Sequence, residues 1–379
     1  MSNEKYDWVN ALRGYAILLV ILVHSSQFFF VSGALKKICE RGDLGVQLFF
    51  ILSSFTLFNS YNNRKSGDEE NVKKNFFLRR FFRIAPYYYL AGIMYVFYRL
   101  FVKEGVVSVK NLISNFTFTN AIYLPAINDI PPGGWSIGVE MLFYLMIPCL
   151  FAHINSIKKA IGLFLFTVVV SYVINDLYAD FMMNTFSFIW DNTNPWTLYF
   201  WLPNQLPVFL LGIVLYLIYK QKTVSFQTGQ ISIIVSVLLF IILAFFDFSD
   251  KQHYFLIKKE YIYGLIFLFF AIGTYVTKNK LIINNYVQKL GVVSFSMYLN
   301  HFIILYFSGY IYSGVNKVVT DYFHLPNFIL ENNIIFLILY ATVVFLCYPF
   351  SKYTYKNVEL TGIQFGNKMI SKWNYKSKK

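Results

Sequence analysis

Charge is scarce in this sequence. Asp, Glu, Lys and Arg make up 14% of its 379 residues, against 57% hydrophobic and 21% aromatic, and mean hydropathy is positive. A soluble globular domain carries nearer a quarter charged residues, so a water-soluble class is excluded. Acidic residues are scarcer still, 19 against 33 basic. Cysteine occurs three times, at Cys39, Cys149 and Cys347, without redox or metal spacing and with two of the three inside apolar runs. No disulfide framework or metal site is implied. There is also no internal repeat and no Ser/Gly/Pro-rich linker leading to a second folded domain, which leaves one domain.

What the chain has instead is ten apolar stretches: 9–31, 44–61, 84–101, 135–152, 160–174, 202–219, 231–246, 261–276, 290–311 and 334–350. Several are nearer 15 than 20 residues, short for a hydrocarbon core of about 30 Å, so their ends extend into flanking Tyr, Trp and Asn positions. The expected fold is all-α, a polytopic membrane bundle of about ten transmembrane helices over 1–350, followed by a basic tail over 351–379. The first stretch is long, contains His24 and lacks a small-x-small cleavage site, so it reads as a retained helix and not a signal peptide.

The formal charge of +14 points first to nucleic acid, but its distribution points elsewhere. With a cytoplasmic N-terminus, 23 basic residues fall on inner loops and 10 on outer ones. This is an orientation signal and no nucleic-acid partner is expected; both termini face the cytoplasm. The segment FFLRRFFRIAP, just before the third stretch, is expected along the inner interface. The tail reads either as a segment riding on anionic lipid or as a solvated one.

Ionisable side chains inside apolar runs are costly and mark sites. Arg13 and His24 share the first stretch. Eleven residues apart, they fall within about 20° of one helix face and about 16.5 Å apart along it. Arg13 then lies at the cytoplasmic surface and His24 near mid-bilayer. Arg80 and Arg83 are three apart, share a face on the same side as Arg13, and suit a phosphate-bearing nucleotide through forked hydrogen bonds; the alternative is lipid phosphate or the orientation signal alone.

His301 stands about ten residues into a span entered from the cytoplasm, at a depth of about 15 Å close to that of His24. Two such imidazoles can meet, one as general base and the other polarising substrate, because imidazole titrates near working pH. A buried imidazole that only bonds a neighbouring helix is the competing reading for each. Glu140 is expected a turn or so below the outer surface, orienting an imidazolium or accepting from sugar hydroxyls, or else as a wetted acid at a helix N-terminus. Ser53 reads as hydrogen-bonding glue between helices, and Gln47 as either glue or cavity lining. Trp135, Trp190, Trp196, Tyr199 and Trp201 form an interfacial aromatic belt, with carbohydrate contact as a second reading.

These residues assemble into a pattern. RGYAILLVILVH at Arg13 to His24, GVQLFFILSSF at Gly45 to Phe55, FFLRRFFRIAPYY at Phe76 to Tyr88, WSIGVEMLFY at Trp135 to Tyr144 and SFSMYLNHF at Ser294 to Phe302 together resemble the acyltransferase-3 family of integral membrane acyltransferases, bacterial enzymes that acylate surface glycans. The resemblance implies a ten-helix bundle in the bacterial inner membrane that uses cytoplasmic acyl-CoA, usually acetyl-CoA, to O-acylate a carbohydrate hydroxyl at or beyond the outer leaflet.

Carried over by motif, His24 is the catalytic histidine, Arg13 its partner, Arg80 and Arg83 the CoA contacts, and Glu140 the acid of the Trp-Ser segment. His301 is a further catalytic candidate, and Gln47, Trp135 and Ser136 are substrate-side or supporting residues. The sequence departs from the family in two places: Asp is common where Gln47 stands, and Ser-Gly-Phe where Ser53, Ser54 and Phe55 stand. Some relatives append a secreted esterase-like domain after the last span; 29 residues cannot hold one, so the bundle is expected either to finish the transfer itself, the preferred reading, or to hand over to a separate protein. A transporter of a glycan lipid or organic anion is the competing class, with an inactive scaffold third.

Overall fold

The computed structural model describes residues 6–103, 105–123, 126–185, 196–246, 258–321 and 332–376. Their elements are helices. The order is α1 (Asp7–Phe28), α2 (Gly33–Glu40), α3 (Gly45–Lys65), α4 (Val72–Phe101), α5 (Val109–Phe116), α6 (Gly134–His153), α7 (Ile157–Thr185), α8 (Trp196–Tyr199), α9 (Leu202–Gln221), α10 (Phe226–Ala244), α11 (Lys259–Thr277), α12 (Asn285–Val292), α13 (Ser294–Asp321), α14 (Asn333–Thr354) and α15 (Leu360–Lys376), with a π-helical turn, Tyr355–Glu359, between the last two. Ten of these reach 19 residues or more, one for each apolar stretch of the sequence. Eight segments are long and apolar enough to cross a membrane, and the pair α12–α13, bent by 82°, makes a ninth. Helix α4 carries the basic segment in its first half, and its apolar second half matches the third stretch.

Helix α1 is the centre of the bundle, packed along α12, α3, α13 and α14. Its contact with α12 is close enough that backbone meets backbone: a Cβ at Gly291 would lie 1.7 Å from the Asn10 carbonyl oxygen. Backbone cannot swing aside as a long side chain can, so Gly291→Ala is expected to cost about 3 kcal/mol or more. The check is thermal unfolding of the detergent-solubilised protein, and an unchanged midpoint would contradict this packing. The α3–α9 contact has the same character. There the small residue is Gly212, whose Cβ would fall 2.2 Å from the Ile51 carbonyl oxygen and 2.7 Å from the Ser54 Cβ. At Ser54, where the family often has Gly, the small residue that permits close approach is thus supplied by the facing helix.

Residues 351–376, set apart in the sequence by composition, are helical and docked on α4. Phe365 packs against Phe82 and Trp373 against Lys74. Asn300 of α13 ties the join in place, donating to Ser351 Oγ (3.0 Å) and Thr354 Oγ1 (3.3 Å) and accepting from Tyr87 Oη. Before α4, Glu69 accepts from Arg79 (2.8 Å), Arg64 (3.0 Å) and Asn75 (2.9 Å). Burial alone would raise the Glu69 carboxyl, but these donors hold it below its ordinary value.

Candidate active site

Helix α1 is continuous from Asp7 to Phe28, so Arg13 and His24 stand on one rod about 16.5 Å apart along its axis. Each end of that rod gathers its own cluster.

At the Arg13 end the guanidinium donates to Thr56 Oγ1 of α3 (3.2 Å). Arg80 and Arg83 of α4 lie within electrostatic reach of it, so the three arginines converge. Among the described residues none of the three has a carboxylate oxygen within 4 Å, and the Arg80 Nε, shielded from solvent, has no hydrogen-bond partner. All three side chains nonetheless keep partial solvent exposure. Guanidinium groups at close quarters repel one another unless oxygen acceptors share their charge, so a set like this has the chemistry to hold an anion.

Glu140 belongs to this cluster, and here the structure corrects the expectation. The acid does not lie above His24 near the outer surface; it accepts from Ser53 Oγ and from Tyr144 Oη (2.6 Å) and faces Arg13 and Arg80. The reason is where α6 begins. Gly134 to Val139 are all buried, so the helix starts inside the bundle and carries Glu140 a turn and a half deeper. Tyr144 is four residues on, hence on the same face. A second carboxylate, Glu359, comes from the π-helical turn; it is 2% exposed, accepts from Ser296 Oγ (3.2 Å) and acts electrostatically on Arg83 and Arg13. Sequence reasoning missed it because nothing in a basic tail predicts that one of its acids turns inward.

At the far end of α1 the two histidines meet. The His24 and His301 rings are 5.2 Å apart, and Phe302 packs against both at 4.4 and 4.2 Å. The His301 Nδ1 lies 2.7 Å from the Tyr298 carbonyl oxygen. A carbonyl only accepts, so Nδ1 carries the proton and Nε2 keeps its lone pair; that Nε2 is buried and unpartnered. His24 Nδ1 lies 3.1 Å from Gln27 Oε1, and by the same reasoning donates to it, so that Nε2 keeps its lone pair. His301 is fully buried, whereas His24 keeps some exposure.

Gln47 is also fully buried and does not bond His24. Its amide nitrogen donates to Tyr199 Oη (2.9 Å) and Gln205 Oε1 (3.1 Å), knitting α3 to α9. The carboxylate whose field reaches His24 is Asp43, one turn earlier in the chain and ion-paired with Lys259 at 2.7 Å. Trp135 is buried against Phe50, Tyr199 and Phe200, an internal cluster and not an exposed belt. Ser136 Oγ donates to Tyr298 Oη (2.9 Å), which in turn donates to the Gly133 carbonyl (3.0 Å). Tyr298, which the sequence reading did not single out, thus joins α6 through its hydroxyl to His301 through its carbonyl. Trp190 and the side chain of Trp196 lie outside the described residues.

A family model described as an acyltransferase domain matches residues 6–352. Among curated relatives, a candidate acetyltransferase of Acidianus two-tailed virus is 25% identical over 80% of this chain and 84% of its own length. A candidate O-acetyltransferase of Staphylococcus aureus is 24% identical over 79% of this chain and 50% of its own. The peptidoglycan O-acetyltransferase of Listeria monocytogenes is 28% identical over 39% of this chain and 24% of its own. The chain thus spans most of the viral protein but half or less of the two bacterial ones. No solved structure matches it. With the match running from the first turn of α1 into the end of α14 and taking in every motif built into the two clusters, the chain belongs to the acyltransferase-3 family, as a multi-pass membrane protein.

Proposed function

We propose that this protein is an O-acyltransferase of the bacterial cytoplasmic membrane that moves an acetyl group from cytoplasmic acetyl-CoA to a hydroxyl of a surface or lipid-linked glycan. One observation carries the reading: among the described residues, three guanidiniums with no carboxylate oxygen within 4 Å gather at one end of α1, and two imidazoles face each other at the other, the buried His301 Nε2 having no hydrogen-bond partner. The names of the bacterial relatives, O-acetyltransferases, supply the group transferred, and the Listeria enzyme supplies the precedent of a glycan acceptor.

In this reading the CoA phosphates dock on Arg13, Arg80 and Arg83, with Glu140 and Glu359 keeping the arginines apart and oriented. The acyl-pantetheine arm runs along α1 toward His24, a distance of about 16.5 Å. His24 Nε2 accepts the proton of the acceptor hydroxyl as its oxygen adds to the thioester carbonyl; the C–S bond then breaks and CoA leaves as the thiol. An alternative order acylates His24 first and transfers the group in a second step. His301 holds the imidazole pair in register through the Tyr298 carbonyl, and the dry bundle limits thioester hydrolysis.

Inside-out membrane vesicles carrying the full chain, given isotopically labelled acetyl-CoA, are expected to move label into a glycan fraction. Label recovered only as donor and free acetate would overturn the reading.

A further inference from the structure

A second site lies apart from both clusters. Where the first turn of α1 meets the C-terminal ends of α9 and α11 and the start of α12, the surface opens into a cleft of about 700 Å³, within the range of small-molecule sites. Trp8, Tyr219 and Tyr275 line it, their rings 4.8 to 6.5 Å apart. Lys222, Lys278 and Lys280 are exposed at its rim, with Asp7 the acid among its lining residues. Ile218, Val276 and Ile283 add an aliphatic wall.

A floor of rings, an aliphatic wall and three ammonium groups fit a phosphate ester carrying an apolar tail. They also lie at the end of the bundle where charge sorting places the cytoplasmic surface, at headgroup depth. We infer that this cleft binds the headgroup of an anionic phospholipid, with the phosphate among Lys222, Lys278 and Lys280 and the start of the apolar tail against the rings and the aliphatic wall.

The test uses the full-length protein in phosphatidylcholine nanodiscs titrated with phosphatidylglycerol, with retained lipid counted by native mass spectrometry. Lys222 and Lys278 occupy left-handed backbone positions, at φ 53° and 46°, so asparagine, which tolerates that region, is the replacement there. The variant K222N/K278N/K280Q is expected to lose phosphatidylglycerol preference by about fivefold for each lysine removed. Arg80→Gln is expected to retain the lipid as the parent does. Phosphatidylglycerol retention that is unchanged in the triple lysine variant would overturn the proposal. So would a cleft that takes adenosine 3′,5′-bisphosphate in a lysine-dependent way but shows no preference for phosphatidylglycerol, since the site would then belong to a soluble nucleotide.

Discussion

Replacing His24 by alanine is expected to lower acetyl transfer by about two to four orders of magnitude, the usual contribution of a positioned general base, while acyl-CoA binding stays near the parent value. The two readouts separate because His24 stands about 16.5 Å along α1 from the arginine cluster. His24 keeps partial exposure, so its loss leaves a small gap at a lined face and not a large void in the core. The measurement is O-acetyl content of isolated glycan at matched expression, with donor binding on the purified protein. Acetylation unchanged by His24→Ala would end the catalytic assignment of this imidazole. An acyl group trapped on His24 by rapid acid quench would decide between its two possible orders of transfer.

The second large effect is expected at the donor end. Arg80→Gln with Arg83→Gln removes two of three guanidiniums, and charge-assisted hydrogen bonds contribute about 1.5–3 kcal/mol each. The KM for acetyl-CoA should rise by about two to four orders of magnitude with at most a modest change in kcat, because these groups hold a part of the donor that does not react. Glu140 and Glu359 would then face fewer cations, so a stability control belongs with the kinetics. An acetyl-CoA KM and binding constant unchanged in the double variant would reassign the pair to membrane lipid. The expected dependence on salt is weaker than for surface charges, since the cluster sits within the bundle.

Particular residues show how far the sequence was legible. The Arg13 and His24 stripe needed only helix periodicity, and the structure has α1 continuous across both. The meeting of His24 with His301 rested on equal depth in two spans, and the rings are 5.2 Å apart. Convergence of Arg80 and Arg83 on Arg13 followed from side assignment by loop charge. Glu140 was misplaced because the reading took the start of its apolar stretch as the membrane surface, whereas α6 begins inside the protein. Gln47 stands where the family often has Asp, and the acid whose field reaches His24 is Asp43, four residues earlier. Glu359 was illegible: a π-helical turn that rotates one carboxylate inward has no periodic signature.

By itself, then, the sequence determined the membrane class, the apolar stretches, the orientation signal and every relationship within one helix, because these depend on local composition and a fixed rise and turn per residue. The tertiary structure decided which groups from different helices share a cluster. It placed Glu140 and Glu359 with the arginines, left the Arg80 Nε and the His301 Nε2 without partners, and opened the cleft at Trp8. Those outcomes turn on where each helix begins, how closely glycines such as Gly291 and Gly212 let backbones approach, and how the tail folds back on α4, and none of these is written in a single period of the chain.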